Sequence, residues 1–406
     1  MDGVNKVKIL IVNKFLYPNG GSETYIFEIG KKLQEMGHEV QFFGMEHERR
    51  CVGNRVESYT SNMDFHTGKL AKVMYPFKII YSAEARGKIR KVLDDFSPDV
   101  VHLNNFNFQL TPSIIYEIRK FEKVCGHKIN IVFTAHDYQL VCPNHLMMQP
   151  NKSLCSECLN GGYLSCVKNG CIHGSKVKSI LGALEGWIYR TLHTYKEIDR
   201  VICPSRFIEE KLAHNPDLIG KTVVMHNFVD RWNQTIAEKQ DYVLYFGRFC
   251  EEKGTATLLE VCRMLPEIPF VFAGGGPMAE EVSKLPNIEN RGFLSGEELI
   301  RTISQARFSV FTSEWYENCP FTIMETQMYG TPVIASDLGG TPELLKDKVT
   351  GELFEGGNKE ELAWKIQQLW NDRQLLDNYT NACQDVHFDS TEQYCEKLLN
   401  VYTGIL

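Results

Sequence analysis

Two carboxylates, Glu317 and Glu325, bracket the stretch Asn318-Cys319-Pro320-Phe321-Thr322, and the segment closes on Gly330-Thr331-Pro332. Proline suits the first turn of a helix and glycine with proline stops one, so a helix is expected over about 319–329, with Glu325 in its second turn and Glu317 in the loop ahead. The free N–H groups of Asn318, Cys319, Phe321 and Thr322 then lie between the two acids as a helix N-terminus, which is receptive to an anion. Arg248 and Lys253 follow a strand-like run that ends at Phe246-Gly247. Two cations so placed neutralise a diphosphate and stabilise it as a leaving group without a metal ion. For each of these groups the alternative is an ordinary solvated charge.

Other residues gather in the first half. His136 directly follows the run Ile131-Val132-Phe133-Thr134 and so stands at a strand's carboxyl end, beside Asp137. Gly20 and Gly21 follow the first strand, where a missing Cβ at Gly21 lets the backbone approach a diphosphate or simply serves a turn. Cys142, Cys155, Cys158, Cys166 and Cys171 cluster in an irregular insertion, about 142–173, with His145 and His173 near them. Tetrahedral zinc needs four soft ligands on short loops, so Cys155, Cys158, Cys166 and Cys171 fit a structural zinc site, with Cys142 as an alternative ligand; reduced thiols, disulfides or an iron–sulfur cluster are the competing readings.

The elements that position these groups are short β-branched or aromatic runs alternating with helical stretches, the mark of parallel βαβ construction. One series has strands near 8–12, 40–43, 98–103, 129–134, 200–203 and 223–225, with Ser22 expected to cap a helix over 23–36 and Gly37 to close it. After the polar segment 226–240 a second series begins, near 242–246, 270–273, 308–312 and 333–336. An α/β chain with two doubly wound, Rossmann-like domains is expected, 1–228 and 229–386, with a cleft between the carboxyl ends of their sheets, and a terminal helix in 387–406.

Composition bounds the partners. The chain has 406 residues, 43% hydrophobic and 23% charged, with a formal charge of -7, so nothing in the balance calls for nucleic acid and any anion site is local. The first apolar run, 7–12, is broken by Lys8 and reads as a strand rather than a signal peptide, and no stretch approaches the ~20 apolar residues of a membrane span. A cytoplasmic chain with reduced thiols is the expectation, possible peripheral membrane contact included. Two basic stretches bear on that contact: 69–91, with Lys69, Lys72, Lys78, Arg86, Lys88, Arg90 and Lys91, and 176–200, with Ile180, Leu181, Leu184, Trp187, Ile188 and Leu192 at helical spacings. Both read either as amphipathic helices covering a sheet or as a face for an anionic membrane.

The pair Glu317 and Glu325, seven residues between them, resembles the Glu-x7-Glu motif of retaining glycosyltransferase family 4. Further ordered elements support the resemblance: Gly20-Gly21, Gly247-Arg248-Phe249 with Lys253-Gly254, Ala273-Gly274-Gly275-Gly276-Pro277, Gly292-Phe293 and Gly339-Gly340-Thr341-Pro342-Glu343. The resemblance implies a GT-B fold: the C-terminal domain holds a nucleotide sugar, the N-terminal domain the acceptor, and the terminal helix returns to the N-terminal domain. It further implies transfer of a hexose-type sugar, from a UDP-sugar before a GDP-sugar, to a hydroxyl of a glycan or lipid-linked acceptor in polysaccharide or glycolipid synthesis, with no cofactor needed for catalysis. Glu317, His136, Arg248 and Lys253 take the catalytic positions, and Gly20, Gly21, Gly292, Phe293, Asn318, Cys319, Phe321, Thr322 and Glu325 complete the donor site. Glu325 meets the ribose hydroxyls, Glu317 those of the donor sugar, and attack comes from the face of the departing phosphate. A nucleotide-sugar epimerase or a non-catalytic nucleotide-sugar binder are the rival readings. An NAD-dependent oxidoreductase is disfavoured because 273–277 lacks the G-x-G-x-x-G spacing.

Overall fold

The computed structural model describes residues 6–62, 79–230 and 238–405. It divides into two compact units, Met1–Met225 with Thr391–Leu406, and His226–Ser390. In the first unit β1 (Lys8–Val12), β2 (Glu39–Phe43), β3 (Val100–Leu103), β4 (Asn130–Thr134), β5 (Arg200–Cys203) and β6 (Thr222–Val224) form one sheet in the order β2-β1-β3-β4-β5-β6. All its pairings are parallel. Ile9, Leu10, Ile11 and Val12 are fully buried. A parallel strand covered on both faces needs such a run, which is why the sequence shows no alternation there.

The second unit repeats the plan with β7 (Val243–Arg248), β8 (Phe270–Gly275), β9 (Ile288–Gly292), β10 (Phe308–Phe311), β11 (Val333–Ser336) and β12 (Gly351–Phe354), in the order β12-β11-β10-β7-β8-β9. Its strands are parallel too. Val243, Tyr245, Phe270, Phe272, Phe308, Val310 and Ile334 fill its core. In both sheets the strand order reverses once, between β1 and β3 and between β7 and β10. Chain connections diverge there, leaving a crevice at the carboxyl ends.

The helix Thr391–Thr403 belongs to the first unit and is tied to it by a buried chain of hydrogen bonds. Tyr402 Oη meets His102 Nδ1 at 2.7 Å, His102 Nε2 meets Thr134 Oγ1 at 2.7 Å, Thr134 Oγ1 meets Tyr25 Oη at 3.2 Å, and Tyr25 Oη meets Tyr394 Oη at 2.9 Å. Burial, with a smaller contribution from His136, lowers the pKa of His102 to about 3. The ring is therefore neutral, with one nitrogen to donate and one to accept, so its two hydroxyl partners take opposite roles.

Three expectations need correction. The first helix runs Gly21–Glu35 from Gly20 with no side-chain cap; Ser22 Oγ instead donates to Glu23 Oε1 at 3.0 Å and accepts from Asn105 Nδ2 at 2.9 Å. The helix expected over 319–329 is Phe321–Met328, with Pro320 as its extended cap. The insertion expected to be irregular holds a short helix, Leu164–Asn169.

The helix Lys176–Thr191 is turned opposite to an ordinary covering helix. Val177, Ile180, Leu184, Ile188 and the following Leu192 are 37% to 69% exposed. Ser179, Gly182, Ala183, Glu185 and Tyr189 face inward. A Cβ on Gly182 would lie 2.4 Å from Ile172 Cδ1, so the inward side is packed too closely for larger residues. Burial pushes the Glu185 carboxyl up to about 8. In the other basic stretch Lys69, Lys72 and Lys78 lie outside the described residues. Of its remainder, Arg86 forms a partly buried pair with Glu117 at 2.7 Å, and Arg90 pairs with Asp94 at 2.8 Å on the surface. Among the described residues no helix is long and apolar enough to cross a membrane.

Removing the Tyr402 hydroxyl leaves a buried imidazole nitrogen without its partner, which costs about 1–3 kcal/mol. Tyr402→Phe is expected to shift the urea transition of the first unit to lower concentration, measured by tyrosine fluorescence or hydrogen exchange; an unmoved transition would show that the chain of hydroxyls does not anchor the helix.

Candidate functional site

The carboxyl ends of β7 and β10 carry the charged residues that the sequence singled out in the second unit. Arg248 is the last residue of β7, exposed, with no ion pair among the described residues. Lys253 closes the single turn Glu251–Lys253 that follows. That turn is pressed against the end of β10: Gly254 has φ +68, and a Cβ there would lie 1.9 Å from Thr312 O. Thr312 Oγ1 in turn donates to Lys253 O at 2.9 Å.

Lys253 Nζ forms an ion pair with Glu317 Oε1. The same oxygen accepts from Ser313 Oγ at 2.8 Å and from Trp315 Nε1 at 2.5 Å. Three donors thus hold one carboxylate oxygen, while Oε2 has no partner among the described residues. The backbone of Glu317 is held as tightly, since Gly340 N donates to its carbonyl at 2.7 Å and a Cβ on Gly339 would fall 2.3 Å from that oxygen. Lys253 and Glu317, which the sequence suggested as separate contacts, form one unit.

Beyond Glu317 the helix Phe321–Met328 starts without a side-chain cap, so its first N–H groups depend on other partners. Cys319 is buried and occupied: its Sγ accepts from Asn227 N at 3.2 Å and its carbonyl from Asn227 Nδ2 at 2.7 Å. Phe321 packs its ring edge-on against Phe228, 5.9 Å between centroids. Asn318, Thr322 and Glu325 keep part of their surface open. Burial pushes the Glu325 carboxyl up to about 7, and it has no partner among the described residues. Gly292 ends the edge strand β9 with φ +68, and Phe293 after it is 84% exposed.

In the first unit the end of β1 and the start of the Gly21–Glu35 helix meet a polar cluster. Buried Glu23 accepts from Asn13 Nδ2 at 2.9 Å, and Asn13 Oδ1 accepts from Asn105 N at 3.0 Å. Gly20 heads that helix and Gly21 is its first residue. His136 Nε2 meets Asn104 Oδ1 at 2.8 Å, and its ring stands edge-on to Tyr25 at 4.9 Å. Burial lowers its pKa to about 4, outweighing the raising effect of Asp137. Asp137 faces His145 at 3.6 Å. Asn13, Asn104 and Asn105 were not singled out, although Asn13 and the pair Asn104-Asn105 come straight after apolar strands, which is the signal that would have found them.

Two family models match. Glycosyl transferases group 1 matches residues 227–385, and Glycosyltransferase Family 4 matches residues 19–232, more than half of the chain.

The chain belongs to glycosyltransferase family 4.

This family 4 chain is 26% identical over 424 aligned residues to the O-antigen chain mannosyltransferase C of Escherichia coli, covering 98% of this chain and 99% of the relative. It is 31% identical to the sulfoquinovosyl transferase of Arabidopsis thaliana over 159 residues, 37% of this chain and 30% of that one, so the chain spans less than a third of that relative. Among solved structures, Anabaena HepE in complex with UDP and glucose has a TM-score of 0.65 at 15% identity, covering 98% of this chain and 99% of that one. At that identity the likeness speaks for the fold, a pair of Rossmann-like domains as in GT-B glycosyltransferases.

Proposed function

We propose that this family 4 chain transfers a hexose-type sugar, with retention at the anomeric carbon, from a nucleotide diphosphate sugar to a hydroxyl of a glycan or lipid-linked acceptor. A UDP-sugar is the favoured donor and a GDP-sugar the second; the UDP and glucose of the HepE structure support a UDP-sugar, and the name of the Escherichia coli mannosyltransferase supports a hexose. The observation that carries the reading is Glu317, one oxygen fixed by Lys253, Ser313 and Trp315 and the other open, at the strand ends that also bear Arg248.

The open oxygen accepts from hydroxyls of the donor sugar and sets its orientation, as Glu325 does for the ribose. The bond from the anomeric carbon to the diphosphate oxygen breaks, the acceptor oxygen bonds to that carbon on the same face, and the acceptor proton passes to the departing phosphate. Arg248, Lys253 and the N–H groups before and at Phe321 stabilise the charge that develops on the diphosphate, which is the larger part of catalysis here and needs no metal ion. Gly20 and Gly21 offer backbone to a phosphate with no Cβ in the way, and Gly292 with Phe293 meets the base. His136, neutral near pH 7 because of its lowered pKa, positions a hydroxyl and moves no proton.

The acceptor is presented at an anionic membrane. The apolar outward side of Lys176–Thr191 supports this, with Lys176 and Lys178 exposed at its start and its one acid, Glu185, turned inward. Apolar burial combined with lysine attraction to anionic lipid is the chemistry of an interfacial helix.

Three outcomes test these statements. Glu317→Gln and Lys253→Met are each expected to lower turnover by about 10²–10³ with the fold intact; near wild-type rates in both would remove the site. The ionised form of Glu325 accepts two hydroxyls, so donor affinity measured calorimetrically should weaken as pH falls below about 7, and Glu325→Gln should flatten that dependence. The chain should sediment with phosphatidylglycerol vesicles, not with phosphatidylcholine alone, and lose this in Leu184→Glu with Ile188→Glu. Dimerisation in solution that the same pair abolishes would assign the face to a second copy of the chain instead.

A further inference from the structure

The cysteine-rich lobe takes no part in the transfer chemistry, yet it brings five thiols to one place. Cys142, Cys155, Cys158, Cys166 and Cys171 line a single cavity of about 10 Å³. That is room for one atom the size of a water oxygen. The five come from four short pieces of chain: Cys142, the turn Cys155–Cys158, the helix Leu164–Asn169, and Cys171 beyond its left-handed Gly170. Cys171 N donates to Cys166 O at 3.0 Å, closing the turn that sets those two thiols side by side. No disulfide joins any of them. Cys158 and Cys166 are 7% and 1% exposed, within a small apolar cluster with Tyr163 and Ala183.

Cys142 is already engaged, donating from Sγ to Asn144 Oδ1 at 2.8 Å. The other four are soft donors from a turn, a short helix and the segment just after it, around a void, the ligand number and type that tetrahedral zinc takes, with Zn–S distances of about 2.3 Å. We propose that Cys155, Cys158, Cys166 and Cys171 bind one zinc ion as a tetrathiolate and that this ion holds the lobe together. Among the described residues no three His, Cys, Asp or Glu side chains already stand at ion-holding distances, so binding turns the thiols inward by rotation about their Cα–Cβ bonds. Each thiol gives its proton to solvent as its sulfur bonds the ion, so affinity rises with pH.

The ion acts by position. Cys142 N donates to Tyr138 O at 2.8 Å, and His145 N donates to Cys142 O at 3.0 Å. Through these bonds and the Asp137–His145 pair the lobe continues directly into the turn that carries His136. Of the proposed ligands, Cys155 is tied to this segment, its N donating to Met147 O at 2.8 Å.

The inference is independent of the donor chemistry, and its test reads metal rather than turnover. The full chain, purified without chelator, is analysed by elemental mass spectrometry and then exchanged with cobalt(II). About one zinc per chain and the intense visible bands of a tetrahedral cobalt thiolate are expected, with the metal lost in Cys155→Ser and in Cys166→Ser but kept in Cys125→Ser, whose thiol is exposed elsewhere. The wild-type measurements do not depend on the variants folding. Less than about a tenth of an equivalent after zinc loading and gel filtration would overturn the proposal, as would iron with labile sulfide. So would a mass after alkylation that reveals a disulfide within the cluster.

Discussion

The contact between Lys253 and Glu317 organises the second unit's candidate site, because it joins the chain after β7 to the chain after β10, 64 residues apart. A carboxylate and an ammonium that are both mostly withdrawn from water stabilise each other only if their remaining hydrogen-bonding capacity is met. Ser313 and Trp315 meet it on the Glu317 side. The backbone does the rest by close approach, Gly254 against Thr312 and Gly339 against Glu317, where any Cβ would collide. The orientation of one free oxygen therefore depends on five short-range constraints, most of them on residues that meet no substrate.

Much of this was legible before any coordinates. Parallel strands buried on both faces must be apolar runs, so β1, β4, β7, β10 and β11 stand out, and the polar or glycine residues after them mark the strand ends. The edge strand β12, Gly351-Glu352-Leu353-Phe354, does not stand out because an edge position with partial exposure needs no such run. Glu317 and Glu325 were readable from their spacing around a helix start. The partners that fix Glu317 were not, since Ser313 and Trp315 act through a loop conformation that no periodicity encodes.

The helix Lys176–Thr191 shows a different limit. Spacing reveals that Ile180, Leu184 and Ile188 share a face, but which face turns inward is decided by what it packs on. Here the inner surface is the crowded lobe around Ile172 and Tyr163, which admits Gly182, Ala183 and Gly186 and excludes the larger aliphatic residues. The outcome is a helix whose small and polar side is inside.

The membership of Thr391–Thr403 in the first unit means that His226–Ser390 is, in topological terms, an insertion within a domain whose two parts flank it. Tyr394 and Tyr402 complete the hydrogen bonds of Tyr25 and His102, residues made some three hundred or more positions earlier. During synthesis the inserted unit has its whole sequence available before the outer one does. Tyr25 and His102 lack these two partners until the helix Thr391–Thr403 has been synthesised. The hydrogen-bond network of the outer unit thus closes only after the whole of the inserted unit has been made.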